Sequence, residues 1–117
     1  MKPDNNITGI VYTCTNNSEN GIHVTFDDGP FLNYTPNLLD TLKEYNVQAT
    51  FFLVAKQVLL YPAIVKRIIA EGHHIGGHTF SHINIIKLEN LNKTATIEQE
   101  IINSEKVFEN TVGFRPW

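Results

Sequence analysis

Apolar and polar positions alternate over Ile22-His23-Val24-Thr25-Phe26, with β-branched residues among them, and this segment is predicted to be a strand. Asp28-Gly29-Pro30 breaks it. Thr35-Pro36 then reads as an N-cap followed by Pro at the first helical position. Leu38, Leu39, Leu42 and Tyr45 recur at helical spacing and carry that helix to about Tyr45. Val47 to Val54 is nearly all apolar, as expected of a strand buried on both faces. A second helix opens at Tyr61-Pro62, has Ile64, Val65, Ile68 and Ile69 as its apolar stripe, and is capped by Gly72. His74-Ile75-Gly76-Gly77-His78 reads as a short third strand. A last helix runs from about Ala95 to Glu109, with Ile97, Ile101, Ile102 and Phe108 on one face. Residues 1–21 are polar, Asn-rich and irregular, and no repeat or low-complexity linker divides the rest.

A strand–helix alternation of this kind predicts an α/β fold with a parallel sheet and right-handed crossovers. Functional groups in such folds collect at the C-terminal ends of the strands. Asp27 and Asp28 end the first predicted strand and His78 ends the third, so the pattern itself brings these polar residues to one rim.

Composition narrows the picture little. The chain has 117 residues, 42% hydrophobic and 18% charged, which is ordinary for a globular protein. That length is one small domain, well short of the roughly 200–250 residues of a closed (β/α) barrel. A net charge of −3 supplies no basic face for nucleic acid, and no apolar run reaches the length of a membrane span. The N-terminus lacks the apolar stretch of a signal peptide. Sequons at Asn6, Asn16, Asn33 and Asn92, together with the lone Cys14, lean toward a secreted protein, although an Asn-rich chain generates sequons by chance.

Three pieces carry candidate chemistry. Asp27-Asp28 stands at a strand end before Gly29-Pro30, and neighbouring carboxylates on extended backbone point in different directions, so one can bind a metal while the other meets substrate. Taken alone, Asp-Asp-Gly-Pro is equally good turn chemistry. His78-Thr79-Phe80-Ser81-His82 spaces two imidazoles at i and i+4, which can share one metal if the segment turns helically. A bare pair of that spacing is more often one buried and one surface histidine. Arg115, placed near Asp27, can hold that carboxylate by paired hydrogen bonds, whereas an isolated Arg is usually solvated. One Asp with two His is a known three-ligand set for a catalytic metal with an open position.

Thr25-Phe26-Asp27-Asp28-Gly29-Pro30 resembles the first motif of the polysaccharide deacetylases, the NodB-homology carbohydrate esterases. His78-Thr79-Phe80-Ser81-His82 is similar to their second motif, and Tyr34-Thr35-Pro36, Leu38-Leu39-Asp40 and Ala49-Thr50-Phe51-Phe52-Leu53 match the text between. Tyr12-Thr13-Cys14-Thr15 resembles fungal-type chitin deacetylases. The resemblance implies that Asp27 is the general base, that Asp28, His78 and His82 bind a divalent metal (zinc, with cobalt as the alternative), and that Thr79 and Ser81 support them. It implies metal-assisted removal of acetyl groups from N-acetylglucosamine units of chitin or a chitin-like polysaccharide, by a protein that is secreted or in the cell wall. A non-catalytic metal- or glycan-binding relative and a xylan or peptidoglycan deacetylase are the alternatives.

In the third family motif, Arg-x-Pro-aromatic, Arg115 matches while Pro116-Trp117 follow one position early. The fourth and fifth motifs are not found. Residues 22–117 are therefore expected to form the N-terminal part of a distorted (β/α) barrel, the NodB-homology fold. In fungal-type relatives the region of Cys14 is tied by a disulfide to a late cysteine. An open half-barrel exposes strand edges and apolar helix faces, so a chain of this length is expected to be unstable or to self-associate. His23, His73 and His74 are expected to be structural or surface residues.

Overall fold

A computed structural model of the chain describes residues 21–116. The sequons at Asn6 and Asn16, Cys14 and Trp117 lie outside the described residues. The elements run β1 (Thr25–Asp27), α1 (Thr35–Glu44), β2 (Thr50–Leu53), α2 (Ala55–Leu60), α3 (Pro62–Ala70), β3 (His74–Gly77), α4 (Ile85–Asn90) and α5 (Thr94–Val112). The strands form one parallel sheet in the order β1-β2-β3, as the α/β reading predicts. Phe26, Phe51 and Ile75 stand side by side in register, and Asp27, Phe52 and Gly76 form the next row toward the C-terminal rim.

Burial of apolar faces drives the packing. Leu39 of α1, Leu53 of β2, Val58 of α2, Val65 and Ile68 of α3 and Phe108 of α5 are fully buried together. Because α5 carries Phe108 and Ser104 against Gly77, this helix is seated on the end of β3: a Cβ at Gly77 would stand 3.6 Å from Ser104 Oγ and 4.0 Å from Phe108 Cε2. β2 departs from the expectation of burial on both faces. Phe51 and Leu53 are buried, but Thr50 and Phe52 are half-buried, since the described residues cover one face of the sheet more fully than the other.

Three helices end in the same way. At α1, α3 and α4 the residue after the C-cap is left-handed: Asn46 (φ 52°), Gly72 (φ 86°) and Asn92 (φ 53°). Its N–H bonds the carbonyl of Lys43, Ile69 or Glu89, and the next N–H reaches back to Leu42, Ile68 or Leu88. Each is a Schellman closure, which satisfies carbonyls the helix would otherwise leave bare. The turn at Gly72 delivers the chain directly into His73 and β3.

Boundaries differ locally from the sequence reading. Thr35 is the first helical residue of α1 and not its cap, because its Oγ1 accepts a hydrogen bond from Phe31 N–H (2.8 Å) in the preceding loop. Two short helices, α2 and α4, were not predicted. α4 carries a local signal all the same: Asn84 at its N-cap accepts from Lys87 N–H at 2.9 Å.

Candidate active site

The rim of the sheet is organised by β2. Past its end, Val54 N–H donates to Gly29 O (3.0 Å) and Leu53 O accepts from His78 N–H (2.9 Å). The loop after β1 and the loop after β3 are thereby tied to the same central strand. Asp28, just past β1, and His78, just past β3, face each other across it.

The side chains converge on one atom. His78 Nε2 lies 3.2 Å and His82 Nε2 3.0 Å from the same Oδ1 of Asp28. Among the described residues these three form the one group of potential metal ligands, with donor atoms all within 4.8 Å of one another. A tetrahedral ion with bonds of about 2.0–2.2 Å sets neighbouring donors about 3.3–3.6 Å apart, so a modest spreading of this cluster accommodates it. The donor set of two imidazoles and one carboxylate suits a divalent ion of the zinc or cobalt type. Asp28 and His82 are more than half exposed, 52% and 59%, which leaves a side of the cluster open to solvent.

The backbone beneath this cluster is unusual. Of five non-glycine residues with positive φ among the described residues, three belong to it: Asp28 (74°), Thr79 (63°) and His82 (59°). A β-branched residue such as Thr79 in this region is a genuine outlier, and such conformers persist only where the surroundings enforce them. The two histidines are thus not presented by a helical turn, as the i, i+4 spacing suggests. A tight turn with left-handed residues at Thr79 and His82 brings their rings to a centroid separation of 5.3 Å. Thr79 Oγ1 closes this turn by accepting from His82 N–H at 3.0 Å.

Two neighbours hold the turn, and the sequence reading missed both. The first-turn N–H groups of α2, from Ala55 and Lys56, donate to the carbonyls of Thr79 and Phe80 at 3.1 and 3.0 Å. On the other side Glu100 of α5 accepts from Phe80 N–H, Ser81 N–H and Ser81 Oγ–H. Glu100 reads in sequence as one more polar position on an amphipathic helix, and nothing adjacent to it marks it. The Ala-Lys-Gln-Val-Leu-Leu run of α2 is mostly helix-forming in composition, a signal the sequence reading did not use.

Asp27 ends β1 as an exposed carboxylate directly beside the metal-ligand candidate Asp28. Arg115 is not brought to Asp27. Its guanidinium is engaged by Glu109, at 2.9 and 3.0 Å, and more distantly by Glu105 at 3.6 Å, all at the exposed end of α5. These two acidic residues lie about one and two turns from the helix end. His23 and His74 are exposed. His73 is buried, with Nδ1 accepting from Ala49 N–H at 3.2 Å, and burial pushes its pKa below the ordinary value, with Glu71 opposing that shift and His74 adding to it.

Comparison with known proteins agrees with this geometry. The sequence profile of the family described as polysaccharide deacetylase matches residues 15–117. A peptidoglycan-N-acetylglucosamine deacetylase of Bacillus cereus is 44% identical over 95 residues, covering 81% of this chain and 33% of the relative. A chitooligosaccharide deacetylase of a Bradyrhizobium species is 34% identical over 85 residues, covering 73% of this chain and 37% of the relative. Among solved structures, a family 4 acetyl xylan esterase from Clostridium thermocellum in complex with a cobalt ion superposes with a TM-score of 0.69 at 33% identity, over 80% of this chain and 44% of that one. The chain therefore spans about a third of the length of the two curated relatives described. With the profile matched across nearly its whole length and the Asp-His-His cluster at the strand ends, the chain belongs to the polysaccharide deacetylase family.

Proposed function

We propose that the protein is a metal-dependent amide hydrolase that removes N-acetyl groups from N-acetylglucosamine units of a cell-wall glycan. The observation that carries this reading is the convergence of His78 and His82 on one oxygen of Asp28, beside the exposed Asp27. Asp28, His78 and His82 would hold the ion, zinc first and cobalt as the alternative. A bound divalent ion supplies Lewis-acid polarisation of a carbonyl and makes water a usable nucleophile near neutral pH. Within the chain, commitment of Asp28 to the ion leaves Asp27 as the adjacent carboxylate, and Asp27 is the general base that takes the proton of the attacking water. The imidazoles, fixed by the turn beneath them, keep the third ligand and the base in a constant relation. Acetate and a free amine are the products.

Peptidoglycan is the first substrate on this reading, because the 44% identical relative is named for it. A chitin-like glycan, the expectation from sequence, is the second reading; the chitooligosaccharide deacetylase and the Tyr12–Thr15 stretch support it. Both polymers carry the same acetamido group, and both place the enzyme's work outside the cell membrane. No helix of the described residues is long and apolar enough to cross a membrane. The test is acetate release from peptidoglycan and from N-acetylglucosamine oligomers by the metal-loaded protein. Asp27→Asn is expected to keep its metal and lose release by at least the 10²–10⁴-fold typical of a general base. Acetate release by Asp27→Asn at the wild-type rate would remove Asp27 from the mechanism, and release from neither polymer would sink the substrate assignment.

A further inference from the structure

We infer that Glu100 is the positioning residue of the histidine pair: from α5, its carboxylate clamps the turn between His78 and His82 in the shape that aims both rings at Asp28. The inference rests on the metal reading above. One carboxylate oxygen, Oε2, accepts from Phe80 N–H (3.1 Å) and Ser81 N–H (2.8 Å), and the other, Oε1, accepts from Ser81 Oγ–H (2.7 Å). Three donors thus meet one partly buried anion, and charge-assisted bonds of this kind are the stronger class.

What the clamp holds is a backbone whose internal bond, His82 N–H to Thr79 Oγ1, leaves the Phe80 and Ser81 N–H groups to outside partners. Thr79 and His82 flank Phe80 and Ser81 on either side, and both are left-handed without being glycine. The carbonyls of Thr79 and Phe80 are satisfied by α2, through Ala55 and Lys56 N–H. Among the described residues, the N–H groups of Phe80 and Ser81 are satisfied by Glu100. The two helices therefore grip opposite polar groups of the same turn. Remove Glu100 and one side of the grip is gone, so the turn is free to relax toward ordinary φ values and to carry His82 away from Asp28.

Glu100 is itself fixed. Glu100, Ser104 and Phe108 follow at i, i+4 and i+8 on one face of α5, where Ser104 and Phe108 are buried against Gly77, the residue before His78. The seam that seats α5 on β3 thus continues onto the histidine turn. This is an outer layer of support for metal ligands, whose loss typically lowers metal affinity 10–100-fold.

The test compares wild type, Glu100→Ala, Glu100→Gln and Ser81→Ala by two readouts. The first is amide hydrogen exchange in the metal-free protein. Phe80 and Ser81 N–H should be protected in wild type and exchange rapidly in E100A. The second is zinc affinity by competition with a chromogenic chelator. E100A should bind about 10–100-fold more weakly than wild type. Gln preserves the pattern, its carbonyl accepting the two N–H groups and its amide donating to Ser81 Oγ, so E100Q should recover most of the affinity and the protection. S81A, which removes one bond of the three, should fall between wild type and E100A and carries the test if E100A does not fold. Zinc affinity in E100A and S81A equal to wild type would overturn the role of Glu100. A wild-type protein that takes up no zinc, with Phe80 and Ser81 protected, would overturn the metal reading instead.

Discussion

Gly72 links the helix that packs the core to the strand that ends at a metal-ligand candidate, and its replacement has a magnitude that follows from the backbone. Its φ is 86°, and the hydrogen bonds of Gly72 and His73 to Ile69 and Ile68 require that value. A Cβ there would meet nothing closer than Gln48 Nε2 at 3.6 Å, an ordinary contact. The cost of Gly72→Ala is therefore conformational and not steric. Placing an L-residue with a Cβ in the left-handed region costs about 1–2 kcal/mol. With a urea m-value of about 2 kcal/mol per M, the unfolding midpoint falls by about 0.5–1 M. For a domain of this size the melting temperature falls by about 4–8 °C per kcal/mol. Asn tolerates the left-handed region, and the chain itself places Asn46 and Asn92 at the equivalent position of two other helices. Gly72→Asn should therefore regain most of what Gly72→Ala loses. Urea unfolding followed by circular dichroism, with the m-value unchanged, reads all three proteins. Equal midpoints for Gly72→Ala and wild type, or an Asn variant less stable than the Ala variant, would show that the left-handed backbone at Gly72 carries no such cost.

Two more outcomes follow from packing and burial. The buried His73 has its pKa lowered in the folded state, so the unfolded chain binds the extra proton first; its contribution to stability is intact above the unfolded value of about 6.5 and is lost as pH falls below it. Urea midpoints measured from pH 7.5 down to 5 should decline on the acid side, and His73→Gln should flatten that decline; identical slopes in the two proteins would contradict it. Phe108, fully buried where α5 meets β3, should cost about 3–5 kcal/mol on replacement by Ala, a large share of the roughly 5–15 kcal/mol by which a domain is stable. Thermal unfolding of Phe108→Ala checks this, and a loss below about 1 kcal/mol would show that α5 is not seated as described.

The grouping of the candidate ligands was legible because two of the three sit at positions set by local rules. A strand broken by Asp-Gly-Pro and a short strand ending in His place Asp28 and His78 on one rim once the crossovers are parallel. His82 was legible by spacing, but not the means of presenting it. The left-handed Thr79 and His82 are enforced by tertiary partners, and no local propensity predicts them. The same reason hid Glu100 and the N-terminus of α2, whose partners are distant in sequence. Arg115 shows the converse: its match to a family motif pointed to Asp27, whereas Glu109 and Glu105 on the preceding helix take its charge. β2 was predicted buried on both faces from composition, yet burial is decided by what covers the sheet, and Thr50 and Phe52 are half-covered. The capping Gly72 was predicted correctly because φ > 0 after a helix is a demand that sequence writes down directly.

The central claim is that Asp28, His78 and His82 bind one divalent ion. X-ray absorption at the zinc edge of the zinc-loaded protein tests it most directly. One ion per chain is expected in a shell of nitrogen and oxygen donors at about 2.0–2.2 Å, with the outer scattering of two imidazoles, and loss of that spectrum in His78→Ala. A sulfur donor at about 2.3 Å, or a zinc spectrum unchanged by His78→Ala, would contradict it.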